Sequence, residues 1–400
     1  VFRLAGISVD RTVALPPPAR CYTRAVLALR VVAVLAGLGI VAAVLWTAVR
    51  TVAVPRAEQV MLVRVIFRLS RRVFWWFAGR ARTPHGREAA LARYAPVTLL
   101  LLPFSWAFGV IVGFALVYLG LGTDSFLEAV EYSGSSFSTL GFRTSEADSY
   151  LLLGIVEALI GLGLVALLLS YMPALYAAFS RREALVAQLE VRAGEPVDPE
   201  VWITRAHRIG WLDQLDETWA EWERWFIDIE ESHTSYPSLT YFRSPVAGRS
   251  WLSAAGCVLD TAALIRAMVD VPVGPHGALC IRAGYVSLRR VADFFGISYD
   301  PNPRPTDAIA VAAEDFYALY DRLAEQRVPL KPDREQAWRD FAGWRVNYES
   351  VLLSFYAMAE VQPPVWPLVP RPAPPRRRLV RRDRQDWPGP AARTGTPERG

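Results

Sequence analysis

Three stretches of this chain, Val31–Val49, Tyr94–Thr123 and Ser149–Ser180, contain a single Asp, Glu, Lys, Arg or His between them, Glu157. A helix needs about 20 mostly apolar residues to cross the hydrocarbon core of a bilayer. Val31–Val49, Pro96–Leu121 and Leu151–Tyr176 meet that requirement, so three spans are expected. A soluble α/β enzyme is excluded for the first half of the chain. The first run is not read as a cleaved signal peptide, because Pro16-Pro17-Pro18 and Arg20 precede it and no small-residue cleavage site follows.

Arginine beside the spans sets the expected orientation. Between the first two spans stand Arg56, Arg64, Arg68, Arg71, Arg72, Arg80, Arg82, Arg87 and Arg93 against Glu58 and Glu88, which assigns that segment to the cytoplasm. Asp124, Glu128, Glu131, Glu146 and Asp148 against Arg143 place the next segment outside, and Arg181 and Arg182 close the third span on the inside. Arg64, Arg68, Arg71 and Arg72 recur at helical spacing among apolar residues. A voltage sensor also carries arginines on a helix. The run after Arg72 is too short to span, so an interfacial helix whose arginines reach anionic headgroups is preferred.

The segment Asp124–Arg143 is too polar for a span and too apolar for an ordinary loop. Phe126, Val130 and Phe137 suit a short helix, after which Thr139-Leu140-Gly141-Phe142 reads as extended. Non-helical backbone at membrane depth is tolerated only where it is buried in protein or lines a water-filled path. Two spans around such a re-entrant segment describe a pore.

Ser138-Thr139-Leu140-Gly141-Phe142 resembles the threonine-x-glycine-aromatic-glycine filter of potassium channels, and the spans on either side resemble their outer and inner helices. The third span, with Glu157 to Gly161 and Tyr171 to Tyr176, is similar to inner helices of bacterial two-span potassium channels. The resemblance covers roughly residues 95–185. It implies a passive cation channel of the bacterial inner membrane, a homotetramer, with potassium as the permeant ion and no other metal, cofactor or enzyme chemistry. Thr139, Leu140, Gly141, Phe142 and Arg143 then form the ion filter. Its carbonyls replace the ion's water shell, and Phe142 packs behind them. Glu131, Ser135, Ser138 and Glu157 belong to the pore helix and its support. Gly161, Gly163 and Pro173 are gating candidates, Gly161 as a hinge and Pro173 as a second bend; the glycines also suit close helix packing.

The chain departs from the family pattern at Arg143, which replaces the second filter glycine, and at Thr144, where an acid is usual. A side chain at 143 disfavours a left-handed backbone by about 1–2 kcal/mol. Four arginines at an outer mouth would repel cations unless Glu131, Glu146 or Asp148 neutralised them. Glu157 is either a protonatable or cation-attracting group near the pore, or a carboxylate hydrogen-bonded to Ser135, Ser136 or Ser138. The alternative function is a membrane-anchored signalling or scaffold protein with a degenerate, non-conducting pore.

The expected organisation is an N-terminal segment with the first span (1–54), an Arg-rich linker (55–94), a pore domain (95–180), a helical cytosolic domain (181–361) and a disordered Pro/Arg-rich tail (362–400). The fold class is thus an all-α membrane protein followed by a mainly helical domain. Trp211, Leu215, Trp222, Phe226 and Ile229 fall at helical spacing within Trp202–Ile229. Further helices are expected at Arg249–Asp270, Ser287–Phe295, Thr306–Gln326 and Arg334–Ala359. The acidic face from Asp213 to Glu231 is expected to meet the Arg64–Arg72 stripe or to compete with lipid for it. Linker and tail suit anionic lipid. They carry much of the pI near 9.2, so nucleic-acid binding is not inferred. Cys21, Cys257 and Cys280 are isolated, and His207, His233 and His276 lie far apart. Neither set has metal-ligand or disulfide spacing.

Overall fold

The apolar runs fold into helices because a backbone without water must satisfy its own N–H and C=O groups. In the computed structural model, the described residues are 24–52, 61–80, 83–143, 148–244, 246, 249–359 and 361. The proline-bearing N-terminal segment, Thr144, Glu146 and the tail from 362 lie outside them. Every element among the described residues is helical, apart from an isolated bridge between Val269 and Leu330.

The first half comprises α1 (Arg24–Val52), α2 (Met61–Arg80), α3 (Pro84–Ala92), α4 (Tyr94–Leu121), α5 (Phe126–Phe137) and α6 (Asp148–Ala193). α1 and α4 run antiparallel in close contact, and glycine permits it. A methyl group on Gly113 would fall 2.7 Å from Val41 Cγ2, and one on Gly109 would fall 2.7 Å from Val44 Cγ2. Gly120 opposes Val34 in the same way. α5 packs between α4 and α6. Its first turn is capped by Ser125, whose hydroxyl accepts from the Glu128 N–H at 3.1 Å.

The second half holds α7 (Pro199–Arg208), α8 (Asp216–Ser235), a 3-10 turn (Pro237–Tyr241), α9 (Trp251–Met268), α10 (His276–Phe295), α11 (Ala313–Glu325), α12 (Arg334–Arg345) and α13 (Glu349–Ala359). α9 forms the axis of this bundle. By length and composition it also qualifies as a span, but 94% of its apolar window is buried in protein, against 11% for α1 and 17% for α6. α9 is therefore a core helix, whereas α1 and α6 present their apolar surface outward, as lipid-facing helices do. Asp260, the carboxylate on α9, is paired. It accepts from Arg345 Nη1 at 2.6 Å and Tyr348 Oη at 2.8 Å, while Arg345 Nε donates to Glu349 at 2.7 Å.

Several boundaries differ from the sequence reading. α6 continues 13 residues past 180, so the expected domain boundary falls inside a helix. The Trp202–Ile229 stretch is divided at Gly210, whose left-handed φ of 67° lets the Trp211 N–H reach back to the Ala206 carbonyl at 2.9 Å. Arg334–Ala359 is divided likewise, into α12 and α13, while α10 begins at His276 rather than Ser287 and α11 at Ala313 rather than Thr306. Three carboxylates of α8 have partners other than the arginines of α2. Asp228 meets Arg181 at 3.2 Å, Glu230 meets Arg290 at 2.9 Å, and Glu223 lies 3.3 Å from His276 Nδ1.

Candidate functional site

The site begins at the buried end of α5. Ser133 and Ala129 are one helical turn apart and both fully buried. The Ser133 hydroxyl donates to Glu157 of α6, and it also lies 3.0 Å from the Ile111 carbonyl of α4. Tyr118 Oη of α4 donates to the other Glu157 oxygen at 3.4 Å. Glu157 is completely buried, so this carboxylate ties three helices together. The sequence reading offered Ser135, Ser136 and Ser138 as its partners. The helical phase of α5 instead directs Ser133 toward α6. Ser135 and Ser138 serve the turn that follows.

That turn is not extended. Beyond α5 the chain folds back on the helix end, and nearly every amide is used there. Ser138 N–H donates to Gly134 O at 3.1 Å and Thr139 N–H to Ser136 O at 3.0 Å. Leu140 and Gly141 N–H groups both donate to Ser135 O, at 3.2 and 3.3 Å, and Arg143 N–H donates to the Ser135 hydroxyl at 2.9 Å. Ser138 Oγ donates to Gly134 O at 2.6 Å, and Thr139 Oγ1 to Ser138 O at 2.7 Å. Among the described residues no donor meets the carbonyls of Thr139, Leu140, Gly141 or Phe142. Among the described residues the turn thus spends its donors internally and leaves these acceptors over, a polarity suited to a cation and unsuited to an anion.

Backbone strain also falls elsewhere than expected. Gly141 is left-handed at φ 69°, which a residue without Cβ adopts freely. The second left-handed residue is Thr139, at φ 59°, and Arg143 is not one. A left-handed threonine costs about 1–2 kcal/mol, and its two hydrogen bonds help to hold it. Leu140 and Phe142 are exposed, so within one chain Phe142 does not pack behind the turn. The Arg143 side chain folds across α5, 3.1 Å from Glu128 Oε1 and 3.7 Å from Glu131 Oε2, with its guanidinium 5.4 Å from the centre of the Tyr132 ring. Two carboxylates thus flank one cation and offset its charge. Glu131 is one of the acids the sequence offers opposite Arg143. Glu128, the nearer partner, was not counted among them, although the Ser125-x-x-Glu128 capping signature marks its place at the head of α5.

The gating candidates have unequal surroundings. Gly161 is buried, and a Cβ there would lie 2.5 Å from the Phe137 carbonyl oxygen. Gly163 faces open space within 4 Å. Pro173 lies inside α6, and the helix continues through it. Tyr118, Tyr132 and Tyr150 gather beside the site with ring centroids 5.3–5.8 Å apart. Sequence reasoning passed over this cluster. Its signal was a tyrosine on each of three consecutive helices, near the end of the span in α4.

α6 leaves this region and reaches a second buried polar anchor. The Arg182 guanidinium donates to Leu239 O at 2.9 Å, Phe242 O at 2.8 Å and Glu183 Oε1 at 2.9 Å, and lies 3.3 Å from His233 Nε2. An arginine can only donate, so Nε2 is the acceptor and Nδ1 carries the proton toward Ile229 O, 2.9 Å away. Burial, reinforced by the adjacent guanidinium, holds His233 well below the usual imidazole range.

Compared with known proteins, the chain matches no family model, no curated protein and no solved structure.

Proposed function

We propose that this chain is one subunit of a passive cation channel, with potassium the expected ion, in which four copies bring their 138–143 turns around a common axis. The membrane is the bacterial inner membrane, with the C-terminal bundle in the cytoplasm. The observation that carries this reading is the set of carbonyls at Thr139–Phe142 that meet no donor among the described residues, held at the end of a short helix between two helices of spanning length. A bare cation needs a shell of oxygens in place of water, and one turn cannot enclose it. Four can. Left-handed backbone at alternate residues, Thr139 and Gly141, suits such an arrangement, because it turns successive carbonyls toward one side. The helix-end dipole of α5 adds negative potential there.

A second reading is a membrane-anchored signalling or scaffold protein with a non-conducting pore. It is favoured by the turn's compactness and by the Arg143 side chain at its outer end. Two measurements separate the readings. Light scattering of the protein in mild detergent is expected to give a tetramer, and recording from planar bilayers is expected to give cation currents. A tetramer without current selects the second reading. A monomer removes the pore.

A further inference from the structure

α2 carries two different faces. On the inner one, Phe67, Phe74 and Trp75 surround Tyr94 at the start of α4, with ring centroids 6.1, 5.9 and 5.6 Å from it. Tyr94 Oη donates to the Phe67 carbonyl at 3.0 Å, and Ser70 and Ala78 are buried on the same side. On the outer one, Val65, Leu69, Val73, Trp76 and Phe77 form a stripe at spacings of three and four residues, and all five are exposed, Leu69 at 60%. Such a stripe in water costs free energy in proportion to its apolar area.

The charges around the stripe identify what covers it. α2 contains no Asp or Glu. Arg68 and Arg72 lie along one edge of the stripe, both exposed. Arg80 stands at its end, with its guanidinium 3.5 Å from the Trp76 ring centre. Among the described residues no carboxylate forms an ion pair with Arg68, Arg71, Arg72 or Arg80. A protein partner with an apolar groove would fit the stripe alone. An anionic leaflet fits both halves, taking the apolar stripe at the acyl boundary and the arginines among its phosphates. Position agrees with this, since α2 is fastened to the end of a spanning-length helix.

The inner face extends the argument. Tyr241, in the 3-10 turn Pro237–Tyr241, packs on Phe67 at 6.0 Å and on Tyr94 at 6.1 Å, and it also touches Phe295 of α10 at 6.3 Å. The carbonyls of Leu239 and Phe242, in and just beyond this turn, are the ones Arg182 of α6 holds. We infer that α2 binds the anionic surface of the bilayer through Val65, Leu69, Val73 and Phe77 together with Arg68, Arg72 and Arg80, and that the Tyr94–Tyr241 contact passes this docking to the Pro237–Tyr241 turn and so to α6. This does not depend on whether the pore conducts.

The test uses the full chain in nanodiscs of phosphatidylcholine and of a phosphatidylcholine–phosphatidylglycerol mixture, with hydrogen exchange read at 61–80 and 236–242. Surface potential contributes about 1 kcal/mol per arginine near an anionic leaflet, so exchange across α2 is expected to slow at least about tenfold in the mixture. Exchange across 236–242 is expected to slow with it. Replacing Arg68, Arg72 and Arg80 together by Gln is expected to abolish the difference between the two nanodiscs. Tyr241→Leu is expected to keep the response of α2 and lose that of 236–242. Brominated phosphatidylglycerol is expected to quench the fluorescence that Trp76→Phe removes. Equal exchange in both nanodiscs overturns the proposal, as does a response at α2 that never reaches 236–242. Ready disulfide linking of two Leu69→Cys copies without quenching of Trp76 overturns it in favour of a second copy of the chain.

Discussion

Replacing Gly161 and Gly163 by alanine, one at a time, separates a hinge from a packing contact. Each substitution gives α6 the same intrinsic gain, about 1 kcal/mol for alanine over glycine in a helix interior. The surroundings then divide them. At 163 a Cβ meets nothing within 4 Å. At 161 it meets the Phe137 carbonyl oxygen at 2.5 Å, and the carbon of the same carbonyl and Phe137 Cδ2 both at 3.4 Å. Ordinary contact requires that oxygen to retreat by about 0.9 Å. It belongs to the last turn of α5 and cannot rotate away as a side chain would. Overpacking of this kind costs about 1–3 kcal/mol. Because the helical gain cancels between the variants, Gly163→Ala is expected to be more stable than Gly161→Ala by that amount. The assay is unfolding by denaturing detergent followed by circular dichroism. In bilayer recordings, Gly161→Ala is further expected to change the current, because the displaced helix end carries the turn. If both glycines serve bending alone, the two alanines stiffen α6 alike. Equal stabilities would therefore refute the packing argument.

Three other outcomes follow from the geometry. Arg143 has no left-handed backbone to relieve, so Arg143→Gly and Arg143→Gln are expected to act alike, both raising cation current at low salt by freeing Glu128 and Glu131, with the gain shrinking as salt is added; a larger effect of Gly would show that the backbone at 143 is strained after all. His233 is held neutral in the folded state and titrates near 6.5 when unfolded, so the unfolded chain takes up its proton first. Its contribution is complete above about pH 6.5 and falls by about 1.4 kcal/mol per pH unit below it, until the depressed folded value is reached. Urea midpoints measured from pH 6.5 to 5 are expected to show this slope, and His233→Gln is expected to flatten it. Arg345→Met leaves Asp260 and Glu349 buried without their cation and is expected to destabilise the helical bundle by about 3–5 kcal/mol in urea unfolding, with Asp260→Leu on the same chain restoring part of the loss.

The sequence was most legible where a residue's surroundings are decided by its own neighbours in the chain. The long apolar helices α1, α4 and α6, the short α5 and the core helix α9 all lie where hydropathy and periodicity put them. What escaped was decided by partners distant in sequence. Ser133, not its neighbours, meets Glu157 because of the rotational phase of α5 against two other helices. Arg181, Arg182 and Glu183 look like the polar end of a span, yet Arg182 is fully buried against Leu239 and Phe242, and the helix goes on. The extended reading of 139–142 failed because Ser135, four residues upstream, supplies a carbonyl and a hydroxyl that draw the chain back.

The continuity of α6 has a consequence for how this protein can change over generations. Glu157 and Arg182 are both fully buried on that helix, and they are separated by about seven turns, a distance of about 37 Å. At about 100° per residue they lie within about 20° of the same side. Each is fitted to partners that belong to a different part of the molecule. Inserting or deleting one residue between them would swing one anchor a quarter-turn or more out of its socket, while replacing an exposed side chain on the same stretch would leave both seated. The interval from 157 to 182 therefore behaves like the toothed shaft of a key: its surface can wear, but its length is fixed by two locks.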